Sequence, residues 1–189
     1  WIAFTIYQFR AGQKESPRPR RLGYTFALSG IFNALRLVCW HYNAFGWSVL
    51  VMLTLLGLLI ASYLWLDVGR TAVSSAEKWS VDVPFSVYLG WITVATVANV
   101  TALLYFVNWN GFGIAPQVWA VIMLVVASIV GLLMTLTRRD SGYVFVLVWS
   151  FIGIAAKQSA EPLVANSAWV AAGLMLVLAV YSIIQRRRA

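Results

Sequence analysis

The sequence predicts an all-α membrane protein, a polytopic transmembrane helical bundle with six complete spans plus one partial N-terminal span. The first observation is composition: 61% of the 189 residues are hydrophobic and only 11% are charged, which is too apolar for a water-soluble domain. The second is a series of apolar stretches of about 20 residues, the length that a helix needs to cross a bilayer. The third is that the basic residues lie in short runs between these stretches.

Seven apolar segments account for the spans. Residues 1–9 form the last part of a helix, and we expect residues before Trp1 to complete it, because the chain begins inside an apolar run without an initiator methionine. The complete spans are residues 22–42, 45–66, 83–109, 118–137, 143–156 and a last helix, capped by Asn166 or Ser167, that ends near Ile184. Residues 83–109 hold no charge, and the other spans are expected to be arranged around them.

Turn and cap residues separate the spans. Residues 10–21 contain five basic residues and two prolines, so this linker cannot remain helical throughout. In the next linker, Ser74 and Glu77 have the spacing of a capping box for a short surface helix. Pro116 suits the first turn of a helix, and residues 138–140 predict a very tight turn between two spans.

The basic residues predict the orientation of the chain. Alternate loops and the C-terminal tail contain twelve of the fourteen lysines and arginines. Only Lys157 lies in an opposite loop, and Arg36 lies within a span. By the positive-inside rule, the basic loops and the C-terminus are cytoplasmic, and we expect an integral protein of a bacterial inner or plasma membrane.

Several classes of function have little support in the sequence. The basic residues are not gathered on one face, which argues against a nucleic-acid partner. Cys39 is the single cysteine, so no disulfide can form within the chain. No Asp or Glu lies within a complete span, and the sequence contains no Ser/His/Asp set and no phosphate-binding loop. We therefore predict that the protein is not an enzyme and does not couple transport to protons.

Polar and aromatic residues at mid-bilayer depth are the main candidates for a site. Trp1, Trp91 and Trp149 lie too far inside their helices for an interfacial belt, and Asn33 lies about 16 Å into its helix. Indole N–H and amide groups at this depth need partners, so we predict that these residues face the bundle interior. There they either form hydrogen bonds between helices or line a cavity for a flat hydrophobic ligand.

One stripe of the charge-free span concentrates such residues. Tyr88, Trp91, Ala95 and Asn99 recur at helical spacing, with Thr96 beside them. A helix surrounded only by lipid gains nothing from an asparagine and a tryptophan at that depth. The stripe is therefore predicted to face other helices, or a ligand held between them.

Arg36 and His41 each have two interpretations. Arg36 lies about 9 Å from the outer end of its helix, so its side chain either extends to the headgroups or contacts a polar or carboxylate-bearing ligand. His41 is the only histidine and is a candidate ligand for the metal of a porphyrin or chlorophyll. Beside Trp40 and Tyr42, however, a role in the aromatic belt is more common, so no metal site is predicted.

Three motifs of the chain resemble those of the TspO/MBR family, the translocator proteins or tryptophan-rich sensory proteins. The motifs are Trp91-x-x-x-Ala95-Thr96-x-x-Asn99, Leu28-x-x-x-x-Asn33-x-x-x-x-x-Cys39-Trp40 and Trp1-x-x-Phe4. The resemblance covers residues 1–109, as four of the family's five helices with the first one absent. Residues 110–189 add three transmembrane helices that end in a cytoplasmic arginine tail, which resembles a longer branch of the family.

The resemblance implies a pocket between helices that binds porphyrins or sterol-like molecules. The implied pocket residues are Trp1, Asn33, Cys39, Trp40, Trp91 and Ala95, with Asn99 close by. Our full set of candidate ligand-binding residues also includes Arg36 and Tyr88. Arg36 stands where the family has a tryptophan, and Pro84 lies three residues earlier than the family's proline.

Two main hypotheses of function follow. The first is a TspO-like protein, sensory or transport-related, that stacks a planar ligand against Trp1 and Trp91, with Asn33 or Arg36 at its polar edge. The alternative is a non-catalytic accessory subunit of a larger photosynthetic or respiratory complex; a small-solute transporter is a third option. Expected partners are the lipid bilayer, a hydrophobic small molecule, and a second copy of the chain or a larger membrane complex. The sequence requires no cofactor; the candidates are a porphyrin or other tetrapyrrole, a chlorophyll-type pigment, or a lipid.

Overall fold

The computed structural model describes residues 2–9, 18, 22 and 24–188, and all regular structure within these residues is helical. We number the main helices α1 (Ile2–Gln8), α2 (Thr25–His41), α3 (Phe45–Trp65), α4 (Val83–Phe106), α5 (Pro116–Arg138), α6 (Ser141–Lys157) and α7 (Pro162–Arg188). A short helical turn, Ser75–Glu77, and a π-helix, Lys78–Asp82, lead directly into α4, and a 3-10 turn, Gly111–Gly113, precedes α5. The predicted all-α fold is confirmed.

Four helices among the described residues are long and apolar enough to cross a membrane, which makes this an integral membrane protein. They are Phe45–Trp65, Ser75–Phe106, Pro116–Arg138 and Pro162–Gln185. Helices α2 and α6 have 17 residues each. A helix of that length covers about 25 Å, less than the ~30 Å of the hydrocarbon core. The predicted count of six complete spans and one partial span is therefore not confirmed.

The helices form two compact units, Trp1–Leu103 and Leu104–Ala189. In the first unit, α2 packs along α3. Three phenylalanine rings join α1, α2 and α4: Phe4 lies 5.0 Å from Phe26 and 5.4 Å from Phe85, measured between ring centroids. Phe4 and Phe85 are fully buried. Edge-to-face aromatic contacts of this kind stabilise the packing beyond the burial of area alone.

In the second unit, α7 packs against both α5 and α6. The three helices approach one another closely at Gly131 of α5. A Cβ atom added there would lie 2.7 Å from Leu147 Cδ1 and 2.7 Å from Met175 Sδ. The missing side chain therefore allows α5 to contact both of its neighbours, as small residues do between membrane helices.

Two helices begin at a side-chain cap, and the cap at Ser74 is the predicted one. The Oγ of Ser74 accepts a hydrogen bond from the backbone N–H of Glu77 at 3.2 Å, as a capping residue should. Asp140 caps α6 in the same way, because its Oδ1 accepts from the backbone N–H of Tyr143 at 3.1 Å. Arg139, with a φ of 50°, makes the tight turn that precedes this cap.

Prolines begin two of the long helices. Pro116 is the first residue of α5, as predicted. The predicted start of the last helix at Asn166 or Ser167 is wrong, since α7 begins at Pro162. Proline fits the first turn because the N–H that it lacks has no partner within the helix there.

Candidate ligand-binding groove on α4

The π-helix before α4 has a physical cause in Pro84. Proline has no N–H, and its ring would clash with the carbonyl group four residues earlier, that of Ser80. The N–H of Val83 bonds instead to the carbonyl oxygen of Lys78, five residues back. Such wide turns inside helices are frequent at functional sites.

Directly after this turn, one face of α4 forms an open groove of about 340 Å³. Its lining residues are Val83, Pro84, Val87, Tyr88 and Trp91. Residues at these spacings share one face of a helix. Trp91 is 52% exposed, so its indole ring is available to a ligand. The volume is near the lower end of the ~300–1,000 Å³ range of ligand pockets.

The predicted stripe of α4 divides between this groove and the protein interior. Tyr88 and Trp91 line the groove, Ala95 is half-buried, and Asn99 is only 3% exposed. The reason is rotation, because eight residues of α-helix leave a net turn of about 80° between Trp91 and Asn99. Asn99 donates a hydrogen bond from Nδ2 to the Oγ of Ser48 on α3, at 2.8 Å. The prediction that Trp91 faces the bundle interior is therefore wrong, whereas Asn99 does face a neighbouring helix.

Helix α2 contributes a half-buried polar pair, Asn33 and Arg36. The Nη2 of Arg36 donates to the Oδ1 of Asn33 at 3.4 Å. Asn33 lies farther from the C-terminal end of α2 than Arg36 does, so the guanidinium is not extended toward that end of the helix. Its Nε is buried and has no hydrogen-bond partner in the part of the chain that the structure describes.

The other candidates on α2 lie at its C-terminal end and do not line the groove. Trp40 packs edge-on against Phe45, with ring centroids 5.2 Å apart. Cys39 is a half-buried free thiol, and His41 is exposed. Within residues 2–9, 18, 22 and 24–188, no group of three or more His, Cys, Asp or Glu side chains could hold a metal ion.

Two tryptophans of the sequence prediction do not contribute to the groove as described. Trp1 lies outside the described residues. Trp149 is 72% exposed, so the prediction that it faces the bundle interior is wrong. The buried face of α6 is formed instead by residues such as Val144, Leu147 and Phe151, on the side that packs against α7 and α5.

An ionic cluster that was not predicted from the sequence lies directly before the groove in the chain. Arg18 donates from Nε to the Leu66 carbonyl at 2.7 Å, from Nη1 to Glu77 Oε1 at 2.8 Å and from Nη2 to Asp82 Oδ1 at 2.9 Å. In the sequence, Arg18 is one of five basic residues of a linker. The signal available there was the presence of three carboxylates, those of Asp67, Glu77 and Asp82, in the neighbouring linker at the same predicted side of the membrane.

Comparison with protein families finds a match over residues 1–181 to the family described as TSPO-like protein. The chain belongs to the TSPO-like protein family. The matched range runs from α1 into α7, so it extends well past residue 109, where the resemblance seen in the sequence ended. Comparisons with curated proteins and with solved structures found no match.

In this TSPO-like protein, the arrangement on α4 suits non-covalent binding. Val83, Pro84 and Val87 supply apolar surface, and Tyr88 and Trp91 supply aromatic surface with polar tips. Helix α2, which contacts α4 through Phe26 and Phe85, carries the positive charge of Arg36. A ligand with a flat apolar body and an anionic edge matches these three properties.

Proposed function

We propose that this TSPO-like protein binds a planar hydrophobic ligand of the tetrapyrrole class in the groove on α4, in a sensory or transport-related role. The observation that carries the proposal is the exposed indole of Trp91 beside Tyr88 in an apolar groove. Tryptophan in a membrane span is otherwise concentrated at the interfaces, not near the middle of a helix. Family membership supports a binding role.

The first contribution to affinity is stacking on Trp91. An aromatic pair in offset or edge-to-face geometry gains about 0.5–1.5 kcal/mol beyond the burial of its area. A ligand that covers the open side of the groove also takes the place of lipid against Val87 and Tyr88. Both effects favour a flat ligand over a flexible chain.

The second contribution is the charge of Arg36. A hydrogen bond from a guanidinium to an ionised group contributes about 1.5–3 kcal/mol. Its geometry also favours a carboxylate over an uncharged group. Arg36 makes one hydrogen bond among the described residues, to Asn33, which leaves a place for an acidic group at its guanidinium. We propose that a ligand carboxylate takes this place, with Asn33 orienting the guanidinium.

Tryptophan fluorescence tests the proposal directly. Protoporphyrin IX is titrated into the protein in lipid nanodiscs, and saturable quenching is expected. The variant Trp91→Ala should lose that saturable component. Trp149→Ala is the matched control, because Trp149 is an exposed mid-helix tryptophan of the second unit, and it should quench as the wild type does. Absence of saturable quenching at micromolar ligand in the wild type would end the proposal.

A second candidate function is that of an accessory subunit in a larger membrane complex. The observation that favours it is Trp149, which is 72% exposed at the middle of α6. Lipid alone offers an indole N–H no partner at that depth, whereas a neighbouring subunit can. Native gel migration after mild detergent extraction separates the two functions, since a band at monomer or dimer mass contradicts the subunit hypothesis.

The orientation and the division of the chain belong to the same proposal. We propose that the basic loops and the C-terminus face the cytoplasm, as the positive-inside rule indicates. Residues 1–109 would then hold the ligand, and residues 110–189 would add further membrane helices. Labelling of a cysteine introduced near the C-terminus, from one side of sealed vesicles, checks the orientation.

A further inference from the structure

Arg18 connects the end of α3 to the segment that leads into α4. Its guanidinium donates to the carbonyl oxygen of Leu66, the C-cap residue of α3, and to the carboxylates of Glu77 and Asp82. The side chains of Arg18, Glu77 and Asp82 are only 13%, 18% and 2% exposed. A fork of N–H donors that meets three acceptors at 2.7–2.9 Å holds its partners more tightly than a surface ion pair.

The two carboxylates flank the π-helix that precedes the groove. Glu77 lies just before Lys78–Asp82, and Asp82 is its last residue. Val83, the next residue, is the first that lines the groove. If the helix gained or lost one residue between Glu77 and Val83, α4 would turn about its own axis by about 100° relative to Glu77. The position of Glu77 and Asp82 therefore determines where the groove face of α4 points.

We infer that Arg18 is a positioning residue for the groove. It holds Glu77 and Asp82 against the end of α3, and this contact fixes the rotation of α4 at which Tyr88 and Trp91 line one open face. The inference rests on the proposed function, because the groove is the ligand site proposed above. Arg18 itself does not line the groove.

Substitutions at Arg18 separate charge from geometry. Arg18→Gln removes the charge and the fork. Arg18→Lys keeps the charge but offers one ammonium group, which cannot serve the three separated acceptors together. Arg70→Gln is the matched control, because Arg70 is an exposed arginine in the loop after α3.

The experiment measures protoporphyrin IX affinity by tryptophan quenching, and amide hydrogen exchange of residues 75–91, in each variant. Arg18→Gln should speed exchange in this segment and weaken binding about tenfold, as expected if one tenth of the protein keeps the competent rotation. Arg18→Lys should fall between Arg18→Gln and the wild type, and Arg70→Gln should match the wild type. If Arg18→Gln does not fold, Glu77→Gln removes one ion pair and should change both readouts in the same direction by less.

The outcomes distinguish the two proposals. Wild-type affinity in a folded Arg18→Gln or Glu77→Gln variant overturns the positioning role and leaves the proposed function standing. A wild-type protein that shows no saturable quenching overturns the proposed function, and the positioning role with it. Weaker binding that Arg70→Gln shares equally also overturns the role, because net charge alone would then explain the effect.

Discussion

Asn99 of α4 donates a hydrogen bond to Ser48 of α3 across 2.8 Å, and both side chains are buried. The Oδ1 atom of the same amide has no hydrogen-bond partner among the described residues. The bond to Ser48 is therefore the side-chain hydrogen bond that Asn99 makes in the described part of the chain. This bond joins α4 to α3 beyond the groove, while Arg18 joins the two helices before it. The segment that carries Trp91 is thus held at both ends.

Removing the bond between Asn99 and Ser48 should destabilise the first unit. A double-mutant cycle of Ser48→Ala and Asn99→Ala should give a coupling energy of about 0.6 kcal/mol, the average for hydrogen bonds between membrane helices, and at most about 1.7 kcal/mol. The free energy of unfolding is measured by detergent titration in mixed micelles. Thr101→Ala is the control, since the Thr101 hydroxyl bonds only within its own helix and should couple to neither site. Strict additivity of the two alanine substitutions would contradict the contact.

Arg36 should discriminate between ligands by their acidic groups. Arg36→Gln should weaken binding of protoporphyrin IX by about 10- to 150-fold, because a charge-assisted hydrogen bond of about 1.5–3 kcal/mol is lost. Binding of the dimethyl ester, which has no ionised carboxylate, should change little. Both affinities are read from tryptophan quenching. Equal losses for the acid and the ester would show that Arg36 shapes the site without contacting the acidic group.

Gly131 should tolerate a side chain less well than Gly173 does. A Cβ at Gly131 meets Leu147 and Met175 at 2.7 Å, whereas nothing lies within 4 Å of a Cβ at Gly173. Both substitutions to alanine gain helix propensity, but overpacking at Gly131 costs about 1–3 kcal/mol. Gly131→Ala should therefore be less stable than Gly173→Ala by about that amount in detergent unfolding. Equal stabilities would mean that α5 does not approach α6 and α7 as closely as described.

The sequence was sufficient for the class of fold and for several helix starts. Ser74 and Pro116 act as local signals, and their roles depend on a few neighbouring residues only. The depth of Trp91 also follows from helix length. The direction of its side chain does not, because α4 is apolar on all sides and carries no stripe of charges to mark an outer face.

Contacts between distant parts of the chain could not be predicted in the same way. The partners of Arg18 are 48 to 64 residues away in sequence, and its neighbours in the linker are equally basic. For Arg18, contacts exist that were not predicted, whereas for Trp149 an interior position was predicted and the side chain is exposed. Its depth suggested an interior position, but the residues that pack against α7 lie on the other side of α6. Helix rotation, which tertiary packing decides, is the common missing information.

Photolabelling tests the location of the ligand most directly. A photoactivatable porphyrin is bound to the protein in nanodiscs and illuminated, and the labelled peptides are mapped by mass spectrometry with and without excess unlabelled protoporphyrin IX. We predict label within residues 83–91, centred on Trp91, that the unlabelled ligand displaces. Displaceable label confined to α5, α6 and α7, with none on α4, would contradict the proposed groove.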